Sequence, residues 1–374
     1  MHIQEKKTHS RWYRANLWIH RWISLFVALP FAILCMTGVV LIFHEEIEHL
    51  TGSAPQAAQS GAQAPRPLMA SIFAAERAYP GERVQSATLD AEHFPGLVLL
   101  GLLKDGEGFQ QARWVYADIA QATLVEQPAF DETLMGFLLE LHAQWFLGTV
   151  GELIGALIAL LVLLSLVSGV VVYAPYIRKF LFGIIRSGKG RRLLQLDLHN
   201  LIGSVVLGWA FVVTLTGVLL GFGTVAIGVW QLTELDALRQ QYRQEIPSPG
   251  LTAPDLDRVY AAAAEAARGW NPTTVLFPGS EYSTPMHYLV LLQGGHGFDE
   301  KMLQLALVDS HSFEVTRLMQ LPVYLKAILL SQPLHFGDYG GMPLKILWAS
   351  CTLLTLFITL NGAWLWWAKR RKIN

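Results

Sequence analysis

Four histidines in this chain stand at two repeated distances from a glycine. His20 is followed 17 and 18 residues later by Thr37-Gly38, and His199 at the same distances by Thr216-Gly217. His142 is followed at 27 by Gly169, as Ser168-Gly169, and His335 at 27 by Gly362, as Asn361-Gly362. Imidazole ligates transition metals and haem iron, and a glycine on a helix leaves room for a flat macrocycle. Axial histidines with such glycines are what a b-type haem held between helices requires. A single histidine at a membrane interface is ordinarily a tolerated polar residue, and a glycine in a span ordinarily serves close helix packing. Four matched pairs go beyond both explanations. Zinc or copper is a weaker reading, because no carboxylate or cysteine completes a compact ligand cluster beside these histidines.

The elements that must position them are long and apolar. Of 374 residues, 52% are hydrophobic and 15% charged, a balance that excludes an ordinary soluble enzyme. Four runs, 17–43, 150–173, 201–222 and 343–367, reach the length of about 20 apolar residues that crosses a bilayer. Pro30 would kink the first. Cys35 and Cys351 both lie inside these runs, which leaves no disulfide framework, cysteine zinc site or iron–sulfur cluster. The chain divides into a terminus with the first span (1–43), an outer domain (44–149), a second span (150–174), a basic loop (175–200), a third span (201–222), a second outer domain (223–342), and a fourth span with its tail (343–374).

Basic residues set the expected orientation. Lys6, Lys7, Arg11, Arg14 and Arg21 precede or open the first span. Arg178, Lys179, Arg186, Lys189, Arg191 and Arg192 fill the short loop, and Lys369, Arg370, Arg371 and Lys372 the tail. Positive charge in short connections marks the cytoplasmic side, so both termini are expected in the cytoplasm and both outer domains in the periplasm of a bacterial inner membrane. His20 and His199 then lie at the cytoplasmic face with Gly169 and Gly362, and His142 and His335 at the outer face with Gly38 and Gly217. His44, in His44-Glu45-Glu46, is an alternative outer ligand. Arg21 could neutralise a haem propionate. Asp197 could orient His199 if the helix starts after it, or cap that helix. Surface roles are expected for His2, His9, His49, His93, His287, His296 and His311.

Each outer segment opens with a linker, 51–67 in the first and 230–250 in the second, the latter expected to continue a helix. Each then reads as one helix (68–79; 253–268) followed by short β-like runs (84–89, 96–103, 113–118, 123–126; 273–277, 286–292, 302–309, 313–317), with turns at 104–108 and 294–297. The fold class expected is a four-helix transmembrane bundle with two α+β outer domains, built by internal tandem duplication. The halves are offset by 179 residues at the first histidine and 193 at the second.

His20-Arg21-Trp22 through Thr37-Gly38, Leu141-His142 through Ser168-Gly169, His199 through Thr216-Gly217, and Leu334-His335-Phe336-Gly337 through Asn361-Gly362 carry a resemblance to the PepSY-associated transmembrane family over nearly the whole length. The resemblance implies that the outer segments are PepSY-like domains. It also implies kinship with inner-membrane ferrisiderophore reductases of the ferrioxamine-reductase type, which pass electrons through haem to periplasmic iron. The function expected is a two-haem-b electron conduit from a cytoplasmic or membrane donor to a ferric siderophore, making the chain an oxidoreductase of the lipid bilayer with no nucleic-acid partner. The sequence shows no phosphate-cradling glycine loop opening a helix after a strand, and hence no flavin or nicotinamide domain of its own. The rival is a non-enzymatic membrane module that regulates a periplasmic protease or binds peptide. Proton-coupled transport is disfavoured by the lack of mid-span ionisable residues, Glu152 and Lys345 lying near span starts.

Overall fold

The computed structural model describes residues 10–57, 66–91, 93–126, 132–177, 183–243, 254–295 and 302–370. Lys6, Lys7, Arg178, Lys179, Arg371, Lys372, His2, His9 and His296 lie outside them, as do parts of the 51–67 linker, the 230–250 helix extension and the 294–297 turn.

In chain order, the elements begin with α1 (Arg11–Leu41), α2 (His44–Thr51) and α3 (Leu68–Ala78). Four strands follow: β1 (Glu82–Thr88), β2 (Leu97–Lys104), β3 (Arg113–Asp118) and β4 (Thr123–Leu124). Next come α4 (Leu134–Leu139), running into a π turn at Glu140–Gln144, then α5 (Gly148–Ile177) and α6 (Arg191–Leu220). After these, α7 (Gly223–Trp230), a π turn at Gln231–Leu235, α8 (Asp236–Gln241) and α9 (Leu256–Ala266) lead to β5 (Trp270–Leu276), β6 (His287–Gly294), β7 (Leu303–Asp309) and β8 (Val315–Gln320). The last two helices are α10 (Val323–Phe336) and α11 (Gly341–Arg370).

Two compact units result. One comprises 1–44, 131–224 and 331–374; the other comprises 45–130 and 225–330. In the first, α1, α5, α6 and α11 are each long and apolar enough to cross a membrane. Helix α1 packs on α5 and α11, and α6 packs on the same two. The four therefore form a ring with α1 opposite α6 and α5 opposite α11. Inward faces are built from small and hydroxyl-bearing residues, among them Ala28, Ala32, Ala156, Ala210, Thr352 and Thr355, while Phe26, Leu29 and Val205 face outward. Each span is longer than its apolar run. Helix α6 starts ten residues before 201, at Arg191, because Gly190 at φ 97° breaks the chain just ahead of it. Pro30 is accommodated within a continuous α1.

The second unit unites the two segments that were each expected to form a small α+β domain leaning on its neighbour or on the bundle. Its strands form one antiparallel sheet in the order β4-β3-β2-β1-β5-β6-β7-β8. The two halves meet at β1 and β5, where Ser86, Ala87 and Thr88 oppose Leu276, Val275 and Thr274. Each half alone would leave an edge strand unpaired, and a domain of that size buries too little apolar surface to be secure by itself. Pairing the edges removes both problems. Helices α3 and α9 supply Leu68, Met69, Ile72 and Ala75, and Leu256, Val259, Tyr260 and Ala263, to one continuous core with Val98, Leu100, Val290 and Ala306. A second core joins Trp230, Leu235 and Leu238 to Leu276, Leu289, Leu305 and Leu307.

The helices also stitch the halves together. The Asp257 carboxylate accepts the Leu68 amide at 3.0 Å. Buried Tyr260 donates its hydroxyl to the carbonyls of Ala87, in the other half, at 2.9 Å and Thr273 at 3.2 Å. His287, expected at the surface, is fully buried: it occupies β6, with Nδ1 2.8 Å from Thr284 Oγ1 and its ring centroid 4.3 Å from that of Tyr242.

Candidate functional site

The bundle brings the four histidines together as two pairs. The ring centroids of His20, on α1, and His199, on α6, are 6.4 Å apart with planes at 72°. Those of His142 and His335 are 6.3 Å apart with planes at 66°. His20 and Gly38 are 18 residues apart on α1, as are His199 and Gly217 on α6, so the pairs are separated by about 27 Å along the helix axis at 1.5 Å per residue.

Every histidine meets its neighbour in the same way. A Cβ built on Gly169 would lie 3.0 Å from His20 Cε1, on Gly217 3.2 Å from His335 Cε1, on Gly38 3.3 Å from His142 Cε1, and on Gly362 3.3 Å from His199 Cε1. The room that each glycine leaves is filled by an imidazole edge.

The missing Cβ also opens a route to a backbone carbonyl. In an α-helix the carbonyl at i−4 accepts from the amide at i and keeps a second lone pair. His20 Nδ1 donates to the Ser165 carbonyl, four residues before Gly169, at 2.9 Å. His335 Nδ1 donates to the Val213 carbonyl, four before Gly217, at 3.0 Å. The Leu34 carbonyl, four before Gly38, holds His142 likewise, and the Ile358 carbonyl, four before Gly362, faces His199. At His199 the contact is looser, and Nδ1 makes no hydrogen bond of normal geometry. Hydroxyls add to three of these contacts, one of them Ser165 Oγ at 3.4 Å from His20 Nδ1. Thr37 Oγ1 is 2.8 Å from His142 Nδ1, and Thr216 Oγ1 is 3.3 Å from His335 Nδ1. Both threonine hydroxyls donate to carbonyls of their own helices, so their oxygens accept from the imidazole N–H.

A carbonyl only accepts, so Nδ1 carries the proton and Nε2 keeps its lone pair free for a metal. An imidazole nitrogen sits about 1.1 Å from its ring centroid and about 2.0 Å from a metal it ligates, so two imidazoles on opposite sides of one iron have centroids roughly 6 Å apart. Both pairs have that spacing. Among the described residues no three His, Cys, Asp or Glu side chains gather as a metal-ligand cluster. Donor chemistry and spacing thus fit two axial imidazoles completed by a macrocycle at each pair.

His142 and His335 sit on elements that the sequence did not reveal. His142 lies in the π turn Glu140–Gln144, ahead of α5 rather than on it. Trp145, Phe146 and Gly148 then take positive φ values of 51°, 58° and 55°, turning the chain into α5. Gly151 makes that turn possible, since a Cβ there would fall 1.5 Å from the Gln144 carbonyl oxygen. His335 ends α10, and Gly337 at φ 72° packs against Trp348, whose ring a Cβ would approach to 2.5 Å.

Three other expected site residues stand apart. His44 is exposed at the start of α2, with Nδ1 donating to the Leu41 carbonyl at 3.0 Å; the contact is local, and His44 joins neither pair. Arg21 lies with its guanidinium carbon 5.9 Å from the Trp22 ring centroid. Asp197 neither orients His199 nor caps α6, because the helix begins two turns earlier. Its carboxylate is held by Arg186 through the backbone amide at 2.9 Å, Nε at 3.0 Å and Nη2 at 2.5 Å.

Comparison with known proteins agrees with this architecture. An uncharacterized protein of Pseudomonas aeruginosa is 26% identical over 264 residues, an alignment that covers 65% of this chain. The matched stretch spans 64% of that relative's length. The model of the PepSY-associated TM region matches residues 17–369, which include all four spans and both histidine pairs, and the chain therefore belongs to that family.

Proposed function

We propose that this membrane protein is a di-haem electron conduit that reduces a ferric siderophore. The observation that carries the reading is the pair of imidazole pairs, each at the spacing of two axial ligands and each with at least one Nδ1 proton committed to the carbonyl of a neighbouring helix. His20 and His199 would hold one haem b, and His142 and His335 the other. When bound, each haem supplies an iron that cycles between ferric and ferrous states.

The chain's own residues do the rest. The four imidazoles fix the two redox centres at opposite ends of the bundle. Carbonyls of Ser165 and Val213, with the Thr37 and Thr216 hydroxyls, fix the tautomers and ring orientations. The apolar spans exclude water between the centres. Basic residues in short connections support a cytoplasmic His20–His199 end and a donor on that side or in the membrane. At the periplasmic end one electron converts chelated Fe(III) to Fe(II). The softer ion is held less firmly by oxygen ligands, and iron is released. The matched order of elements in the two halves supports an origin by tandem duplication.

The test is the visible spectrum of the purified full-length protein. A reduced spectrum typical of bis-histidine haem is expected, with two haems per chain. His20→Ala should remove one and His335→Ala the other. Colourless wild-type protein, or unchanged haem content in the double variant, would refute the reading.

A further inference from the structure

The His20–His199 pair is not symmetric in its surroundings. On the His20 side the Ser165 hydroxyl lies 3.4 Å from Nδ1, beyond the carbonyl that accepts at 2.9 Å. Ser165 Oγ is 2.6 Å from Ser24 Oγ, and the Ser24 hydroxyl donates to the backbone carbonyl of His20 itself. The Ser165 carbonyl also accepts from the Ser168 hydroxyl at 2.9 Å, and one assignment then satisfies the remaining donors. Nδ1–H is shared between the Ser165 carbonyl and hydroxyl oxygens, Ser165 O–H donates to Ser24, and Ser24 O–H donates to the His20 carbonyl. The chain of bonds leaves His20 at its ring and returns to its backbone.

The offsets of 179 and 193 that relate the halves carry Ser24 to Gly203 and Ser165 to Ile358. There the matching contact is apolar, since a Cβ on Gly203 would lie 3.9 Å from Ile358 Cδ1. His199 Nδ1 accordingly has no hydroxyl beside it and no well-formed hydrogen bond. Buried hydroxyls are costly unless paired, so a hydroxyl pair kept on one side alone calls for a reason beyond packing.

We propose that Ser24 and Ser165 are positioning residues that lower the reduction potential of the inner haem through His20, an inference resting on the di-haem reading. Hydrogen bonds accepted from Nδ1–H make Nε2 a stronger donor. A stronger axial donor favours ferric over ferrous iron, so the potential falls.

The experiment is an optical redox titration of the purified, haem-loaded full chain, with His20→Ala identifying the inner component. Wild-type protein without haem refutes the conduit itself before any serine variant is made. With both haems present, Ser165→Ala should raise the inner midpoint and leave the outer one unchanged. Ser24→Ala should shift it in the same direction, and Ser165→Thr, which retains the hydroxyl, should keep the wild-type value. Ile358→Ser adds a hydroxyl beside His199 and should lower the inner midpoint; it decides the matter should Ser165→Ala fail to fold. Unchanged inner midpoints in Ser165→Ala and Ser24→Ala with a wild-type spectrum overturn the proposal, as does an unshifted Ile358→Ser.

Discussion

At the scale of single residues, each histidine of the two pairs packs against a glycine of another helix. The gap is tightest at Gly169, where an added methyl would lie 3.0 Å from His20, and looser at Gly38, where it would lie 3.3 Å from His142. Overpacking of this kind costs about 1–3 kcal/mol. Gly169→Ala should therefore disturb haem retention more than Gly38→Ala, as read by haem content after detergent washing; equal or reversed losses would count against the imidazole-recess account. A second residue-scale prediction concerns Asp309 in the turn after β7. Burial raises its pKa, but the amides of Ser312 and His311 donate to its Oδ1 at 2.7 and 2.9 Å and the net result lies below the usual carboxylate value. A depressed folded-state pKa contributes stability above the unfolded value of about 3.9, lost as pH falls through the folded value. Thermal unfolding of Asp309→Asn should thus lose less stability than wild type as pH falls below about 4; parallel curves would show that the turn does not sense pH.

At the scale of elements, the two ends of the bundle are made differently. His20 and His199 ride on the spans themselves, whereas His142 and His335 ride on short segments folded back ahead of them. The π turn Glu140–Gln144 is the more sensitive of these. Gln144 Nε2 donates to Glu152 Oε1 at 3.1 Å, and its carbonyl occupies the place a Gly151 side chain would need. Gly151→Ala must push the turn away and His142 with it. The expected outcome is loss of the His142–His335 haem alone, seen as half the wild-type absorbance with the His20–His199 component intact. Retention of both components would mean that the turn can relax without moving its histidine.

At the scale of the molecule, one sheet unites two distant stretches of chain. Tyr260 reaches from α9 to the Ala87 carbonyl across the β1–β5 junction, and burial pushes its phenolic pKa well above normal. It therefore serves as a neutral donor. Tyr260→Phe leaves buried carbonyls short of a donor, a loss of about 1–3 kcal/mol. A lower melting temperature of the sheet-containing unit is expected with the haem spectrum unchanged; an unaltered melting curve would place the strength of the junction in the strand pairing alone. Reporter fusion at the C-terminus offers a check on orientation, with a cytoplasmic signal expected from the basic tail.

The four spans, the histidine spacings and most strands were legible in the sequence because each is a local pattern. Apolar length specifies a span, alternation a strand, and a fixed number of helical residues a depth in the bundle. Four facts depended on packing instead. The outer segments share one sheet because edge strands pair with whatever complementary edge the fold supplies, and β1–β5 pairing leaves no mark in either strand. His44 and His142 are both polar residues beside an apolar run, and only the turn through Trp145 and Phe146 brings one of them to His335. Asp197 looked like a partner for His199 until the start of α6 at Arg191 put it within reach of Arg186. The glycines, finally, could be counted in the sequence, but what each makes room for was decided by packing: an imidazole edge, which at Gly169 and Gly217 reaches a carbonyl that fixes the proton on Nδ1.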